Sequence, residues 1–403
     1  MNKTIGSTLI VAGTTIGGGM LAMPLTSAGI GFGFTVFLLI ALWALLTYSA
    51  LLFVEVYQTV ESDAGIGTLA EKFFGKSGRV FATSILLIFL YALVSAYISG
   101  GSTIFAGLLP HLATNTFMLQ LSGILFTVIF GGIIFLGTST VDRVNRFILS
   151  LKFTFFALVL LLLIPNVTWQ NFMEVPLNNA LLISATPIFF TAFGFHGSIP
   201  SLNRYLKGNT AALRFAIIVG TLIPLVAYIL WQFATHGVLN QSEFLQILEH
   251  DPTLNGLVVA ITQSTGSHTI GIVVRIFSAL ALITSFLGVA LGLFETLEDL
   301  FKRMKISHSR KAVGLATFVP PLAFALFFPQ GFILALGYAG QMFACYAIVL
   351  PVAMVWKLRN QYRHLNYRVI GGKPVLIITL IIGVGIACVP FLIQAGYLPT
   401  VIG

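Results

Sequence analysis

Apolar residues in this chain do not form the one-sided stripe of a soluble helix. They run in uncharged stretches, interrupted by Gly, Pro and short polar clusters. A helix that crosses a bilayer needs about 20 apolar residues. Cutting the stretches at their interruptions predicts eleven spans, at residues 5–29, 33–57, 80–108, 118–138, 147–164, 180–201, 213–235, 269–297, 312–328, 332–355 and 374–396. Two cuts rest on turn residues alone. The uncharged run 4–54 divides at Gly29-Ile30-Gly31-Phe32-Gly33, and the run 312–356 divides at Pro329-Gln330-Gly331.

Charge supports this division. With the N-terminus inside, twenty of the twenty-one basic residues fall on inner segments. They lie at Lys3, at 72–79, at Arg143, Arg146 and Lys152, at 204–214, at 302–311, and from Lys357 through Arg363 to Lys373. Lys and Arg concentrate on the cytoplasmic side of membrane proteins, and a wrong helix count would scramble that alternation. An odd count places the C-terminus outside, which in a bacterium is the periplasm. On the outer side, Gln241–His250 and Asn255–Gln263 read as two short surface helices separated by Asp251-Pro252. On the inner side, Glu61–Arg79 reads as an interfacial hairpin.

Composition narrows the class. Of 403 residues 57% are hydrophobic and 8% charged, against roughly 25% charged in soluble domains; the mean hydropathy is +0.99. One membrane domain over 1–403 follows, with no soluble domain. The net charge of +9 sits in loop clusters rather than along one face, so it marks topology and not a nucleic-acid partner. Cys345 and Cys388 lie inside apolar runs, and neither a disulfide framework nor a metal pair is expected. The first apolar run continues past its small residues Thr26-Ser27-Ala28 to Glu55 without a charge, so it reads as a retained helix rather than a cleaved signal.

Spans 1 and 6 are interrupted at matching places. Span 1 carries Gly17-Gly18-Gly19 ahead of Pro24, and span 6 carries Gly194-Phe195-His196-Gly197 ahead of Pro200; Gly18 to Pro24 and Gly194 to Pro200 have the same spacing. Five helices apart and opposite in direction, they point to an inverted repeat of five plus five helices, about 5–164 and 180–355, with 374–396 extra. In hydrocarbon, unwound backbone survives only where it lines a cavity or meets a ligand. A half-helix N-terminus presents free N–H donors and a partial positive charge, which suits a carboxylate. Gly17, Gly18 and Gly19 supply such donors, while carbonyls freed around Phe190, Thr191 and Phe193 suit an ammonium. That pair of ends describes a zwitterionic amino acid; helix-packing glycines and an ordinary kink are the alternative.

Ionisable residues within spans are costly and need a reason. His196, in the second break, either meets substrate, carries a coupling proton or braces unwound backbone. Glu55 is either a proton carrier or a structural carboxylate. Thr284 and Ser285 either help hold a sodium ion against span 1 or bond back to their own helix. Arg275 either snorkels outward or pairs locally, and Glu295, Glu298 and Asp299 end span 8 in solvent. Candidate substrate residues are Thr14, Thr15, Gly17, Gly18 and Gly19 of span 1 and Phe190, Thr191, Phe193, Phe195 and His196 of span 6. Tyr97, with Tyr91 and Ser95, and Tyr338, with Gln341, are offered from spans 3 and 10. Candidates for the coupling ion are His196, Glu55, Thr284 and Ser285.

The segments Gly13-Thr14-Thr15-Ile16-Gly17-Gly18-Gly19-Met20-Leu21-Ala22-Met23-Pro24 and Phe193-Gly194-Phe195-His196-Gly197-Ser198-Ile199-Pro200 resemble signatures of the bacterial hydroxy/aromatic amino acid permeases. Residues 284–294 and 320–326 extend the likeness along essentially the whole chain, which looks most like the tyrosine-specific permeases. The resemblance implies an all-α, LeuT-type inner-membrane symporter of eleven spans, driven by protons, that imports an aromatic amino acid, with tyrosine first and tryptophan or serine as alternatives. It implies that Gly17 and Gly18 meet the carboxylate and that Phe190, Thr191, Phe193 and His196 form the span 6 side. Where tyrosine permeases have Gly-Ala-Gly, this chain has Gly17-Gly18-Gly19. Expected partners are the amino acid, a proton or sodium ion, and the bilayer; no cofactor or metal is expected. A polytopic enzyme would need clustered catalytic groups such as H-E-x-x-H, and a channel a filter repeat; neither pattern is visible.

Overall fold

Backbone amides inside a bilayer must bond to each other, and the chain meets that demand with helices. The computed structural model describes residues 3–62, 64–108, 115–305, 309–362 and 364–401, and among them there is helix, turn and loop but no strand. Arg363, counted above with the inner bases, lies outside these residues. The helices are α1 (Lys3–Thr15), α2 (Gly19–Thr26), α3 (Phe32–Tyr57), α4 (Ile66–Ala106), α5 (Thr116–Phe135), α6 (Thr138–Leu163), α7 (Ala180–Ala192) and α8 (Ile199–Tyr205). There follow α9 (Thr210–Val238), α10 (Gln241–His250), α11 (Leu254–Thr265), α12 (His268–Arg303), α13 (Arg310–Phe327), α14 (Phe332–Ala344), α15 (Leu350–Gln361) and α16 (Gly372–Gln394). Among the described residues ten helical segments are long and apolar enough to cross a membrane, and α1 with α2, bent by 48°, makes an eleventh if the pair is one span.

Large apolar side chains cover the outside of the bundle. Phe37, Leu161, Phe327 and Ile381 are each more than half exposed, as residues facing lipid should be and residues facing water rarely are. Inside, hydroxyls such as those of Thr127, Thr235 and Thr317 donate to the carbonyl four residues back, so these polar side chains cross the bundle with their donors met. Helix ends carry side-chain caps where a loop turns back. Asn209, Thr253, Ser267 and Ser309 accept from the first turns of α9, α11, α12 and α13. Asn240 and Glu243 form a reciprocal capping box on α10.

Helix pairing repeats with an offset of five spans. Span 3 packs on span 10 (α4 on α14) as span 8 packs on span 5 (α12 on α6). Span 1 packs on span 7 (α1 on α9) as span 6 packs on span 2 (α7 on α3), and span 4 lies on span 3 as span 9 lies on span 8. Three contacts map onto themselves under the same exchange: α4 with α12, α3 with α9, and α2 with α7.

The hairpin expected over Glu61–Arg79 forms within α4: its first turns, from Ile66, fold back at Gly75, whose φ of 70° and ψ of −163° only glycine adopts readily, so that a Cβ on Gly67 would lie 3.5 Å from Thr83 Oγ1. Two expectations need correction. Span 5 begins at Thr138, so Arg143, Arg146 and Lys152 are helical. Lys152 is not an inner-surface base, since its side chain is 1% exposed in the bundle interior. The paired surface helices do form, as α10 and α11, and Arg275 pairs locally, donating to Asn255 Oδ1 at 2.9 Å and to the Ile104 carbonyl at 3.3 Å.

The loop between α6 and α7 holds α10 through Glu174, whose Oε1 accepts from the Gln241 N–H at 2.7 Å while its Oε2 has no partner. Burial raises this carboxyl above the ordinary carboxylate range, the Gln241 N–H offsets part of the rise, and the charge of Glu243 adds to it. A raised folded-state value means that the proton stabilises the fold. The contribution is therefore complete at low pH and is lost as pH climbs through the raised value. We expect hydrogen-exchange protection of α10, corrected for intrinsic exchange, to fall across that window, and Glu174→Gln to abolish the dependence; an unchanged profile in the variant would contradict the assignment.

Candidate functional site

The first interruption opens because α1 stops at Thr15 and α2 starts at Gly19. Its freed backbone groups are met by side chains from three other helices. Tyr228 of α9 donates to the Thr15 carbonyl at 2.7 Å. Lys152 of α6 donates to the Ile16 carbonyl at 2.5 Å and to Thr284 Oγ1 at 3.3 Å. Ser285 Oγ of α12 accepts from the Gly18 N–H at 2.8 Å. Gly17 and Gly18 then serve the next turn, their carbonyls accepting from Met20 and Leu21. Among the described residues no acceptor meets the N–H of Gly17 or of Gly19.

The second interruption follows α7, which ends at Ala192; a single tight turn over His196–Ser198 leads into α8. The carbonyls expected to be free are already used once. Phe190 accepts from the Phe193 N–H, Thr191 from Gly194, and Phe193 from Phe195. The carbonyl that reaches outside its own segment is that of Ala192, which accepts from Tyr228 at 2.7 Å. Thr191 Oγ1 lies within reach of the Pro187 carbonyl in its own helix and, at 3.0 Å, of the Leu336 carbonyl in α14.

The two interruptions touch. A Cβ on Gly19 would fall 2.9 Å from the Ala192 Cα, and a Cβ on Gly18 would fall 2.8 Å from the ring of Tyr97. Glycine is required here by close approach, not by backbone angle. Gly340 plays the same part for α14, since a Cβ there would meet the Pro187 carbonyl at 2.0 Å. Beside the second break stands an aromatic pile, in which Phe343 stacks on Phe89 at 5.0 Å and meets Phe190 at 5.1 Å and His196 at 5.2 Å.

The structure thus gathers Thr15, Gly17, Gly18, Gly19, Tyr97, Phe190, Thr191, Phe193, Thr284 and Ser285 around the two breaks. Phe195 and His196 lie in the second break itself, and the remaining candidates lie elsewhere. Thr14 is exposed and its hydroxyl returns to the Ile10 carbonyl at 2.8 Å. His196 is fully buried between Phe53, Phe195 and Phe343, with Nε2 3.3 Å from Ser49 Oγ and Nδ1 unpartnered. Tyr338 is 44% exposed and lines a cavity of about 260 Å³ with Tyr91, Ser95 and Pro321, none of them part of either break. Glu55 is fully buried near the C-terminal end of α3. It accepts from Arg359 at 2.7 and 2.8 Å and from the Val369 N–H at 2.9 Å, a bidentate pair that ties α3 to α15 and to the linker before α16. Glu298 and Asp299 pair with Lys302 and Arg303 one turn on, while Glu295 accepts from Thr138.

Two residues were missed in the sequence, Lys152 and Tyr228. Lys152 was counted as a loop base, yet it lies in register with Phe156, Val159 and Leu163, the buried stripe of α6. That spacing is the signal that could have found it. None of the five ion pairs among the described residues includes Lys152. The Lys152 amine is therefore met inside the bundle by neutral groups, two oxygens and the Phe153 ring at 5.5 Å, although a charge at mid-membrane costs about 2.5–3.5 kcal/mol on insertion scales.

Apolar spans closed around two interruptions that meet define a multi-pass membrane protein with its polar chemistry inside. That protein is a permease: residues 1–390 match the tryptophan/tyrosine permease family, and the chain belongs to it. It is 62% identical, over the full length of both chains, to the tyrosine-specific transport system 1 of Haemophilus influenzae. It is 55% identical to the tyrosine-specific transport system 2 of the same organism, over 100% of this chain and 99% of that one. It is also 33% identical to the glutamine transporter 2 of Aliivibrio fischeri, over 94% and 97% of the two chains. The family carries amino acids across membranes rather than transforming them, so the chain is not an enzyme.

Glycine contacts separate tight positions from open ones. A Cβ on Gly19 would press on Ala192 backbone, whereas one on Gly197 would meet nothing within 4 Å. Overpacking of this kind costs about 1–3 kcal/mol. Gly19→Ala should lower the melting temperature of the detergent-solubilised protein and weaken amino acid binding, while Gly197→Ala leaves both near native. Equal behaviour of the two variants would show that the breaks are not in close contact.

Proposed function

We propose that the protein is a symporter of the bacterial inner membrane that imports L-tyrosine with a proton by alternating access. In this reading it has eleven spans in a LeuT-type five-plus-five inverted repeat, with the N-terminus in the cytoplasm and the C-terminus in the periplasm. The pairing of helices at an offset of five spans supports the repeat. The observation that carries the substrate reading is the contact between the breaks, where Gly19 presses on Ala192 at the carbonyl end of α7 and the N–H groups of Gly17 and Gly19 have no acceptor among the described residues. Two open donors suit a carboxylate and a helix C-terminus suits an ammonium. The aromatic pile of Phe89, Phe190 and Phe343 gives the ring a wall to pack on. The names of the two Haemophilus relatives favour tyrosine, and the glutamine-transporting relative shows what the selectivity test must include.

Lys152 supports the proton. Thr284 and Ser285 were candidates either to hold sodium against span 1 or to bond back to their own helix; Thr284 does bond back, to the Ala281 carbonyl, and the Lys152 amine stands between it and the Ile16 carbonyl. Protonated, it donates to the Ile16 carbonyl and pins the end of α1. Without its charge the amine is a far weaker donor, and that pin loosens. One proton thereby alters the geometry of the first break, which is what coupling of proton to substrate requires. Glu55, fully engaged with Arg359 and Val369, serves as the structural carboxylate of the inner face.

The test is uptake of labelled tyrosine into proteoliposomes under an imposed pH gradient, with and without sodium, against unlabelled phenylalanine, tryptophan, serine and glutamine. We expect accumulation with the pH gradient alone and the strongest competition from tyrosine itself. Lys152→Gln should lose gradient-driven accumulation while retaining tyrosine exchange between the two sides. Accumulation that needs sodium, or survives intact in Lys152→Gln, would falsify the coupling mechanism.

A further inference from the structure

Tyr228 is fully buried in α9, with its ring edge-on to Phe193 at 5.1 Å. Its hydroxyl oxygen lies 2.7 Å from the Thr15 carbonyl and 2.7 Å from the Ala192 carbonyl, the final residues of α1 and α7. A phenol carries one hydrogen and donates once. At any moment one of the two carbonyls receives that hydrogen, while the other faces an oxygen lone pair at hydrogen-bond distance in an interior without bulk water. Unserved carbonyls in such a place cost free energy until a donor arrives. The neighbouring cation does not relieve the shortage, because Lys152 is directed at Ile16 and Thr284.

We propose that Tyr228 is a positioning residue for the substrate ammonium: by sharing one hydrogen it holds the end carbonyls of the two breaks together and one donor short, and the ammonium supplies the missing donor. This rests on the amino acid reading above and goes beyond it. It accounts for a hydrogen-bonded bridge between the two breaks that comes from a third helix rather than from either break. It also separates the role of Tyr228 from that of a strut, since a strut would serve the site equally well with two hydrogens.

The test compares binding of L-tyrosine with binding of 3-(4-hydroxyphenyl)propionate, which keeps the phenol and the carboxylate and lacks the amine. Both ligands are titrated into the full-length protein in nanodiscs, native and with two replacements. Tyr228→Phe removes the shared hydrogen, and 4-aminophenylalanine at position 228 keeps the ring and offers two hydrogens, so that both carbonyls are served. The native protein should prefer tyrosine, and each replacement should shrink that preference by roughly tenfold or more, the scale of a hydrogen bond to a charged group. A merely structural role predicts that both ligands weaken alike and that the two-hydrogen replacement behaves as native. A preference unchanged in either folded variant overturns the assignment. A native protein that binds the two ligands equally, or binds neither, overturns the amino acid reading itself, which keeps the two failures apart.

Discussion

An interrupted helix inside a membrane is sustained only if something other than the next turn of helix takes up its backbone groups. In this permease that requirement is met by side chains drawn from other helices. Lys152, Tyr228 and Ser285 each take one group at the first break, and Tyr228 takes one at the second. The rest of the site follows from that arrangement. Because α6, α9 and α12 each contribute a side chain to the same few residues, a shift of span 1 must break or remake bonds to three neighbours. The Lys152 amine and the hydroxyls of Tyr228 and Ser285 therefore act on one short piece of chain.

The C-terminal end of α3 is stabilised differently. There Glu55 and Arg359 form a buried pair, the Val369 N–H completes the carboxylate, and Gln58 pairs with both the N–H and the carbonyl of Tyr367. Arg214 lies over the ring of Tyr367 at 4.0 Å. The linker between α15 and α16 is thus bound to the end of α3 and the start of α9. Removing one partner of a buried pair leaves the other uncompensated, so these links are costly to break one at a time. The mid-membrane site relies on single hydrogen bonds, which can exchange partners one at a time.

Much of this was legible in the sequence. Long uncharged runs and the alternation of bases gave the spans to within a few residues for α3, for α7 and α8 taken together, and for α13 and α16, and the matched spacing of Gly18–Pro24 and Gly194–Pro200 located both breaks. What the sequence could not give was which side chains reach them. Lys152 sits among Arg143 and Arg146 and so passed for a loop base; only its register with Phe156 and Val159 distinguishes it. Tyr228 is one aromatic among many in apolar helices, and its role depends on a tertiary contact that leaves no local signature. His196 was singled out as a titratable residue in a break, and it does lie in the second break; that three phenylalanines pack around it could not be read from the sequence. Glycines mislead in a similar way, since Gly19 and Gly197 look alike in their motifs and only one is pressed against another backbone.

The central claim is that two interrupted helices meet and present main-chain groups to an amino acid. An experimental density map of the protein with bound tyrosine in lipid nanodiscs, at a resolution that shows carbonyl oxygens, tests it directly. The account predicts α1 ending at Thr15, the ligand carboxylate against the N–H groups of Gly17 and Gly19, and its ammonium at the end of α7. A continuous helix from Lys3 to Thr26, or tyrosine bound away from both breaks, would contradict it.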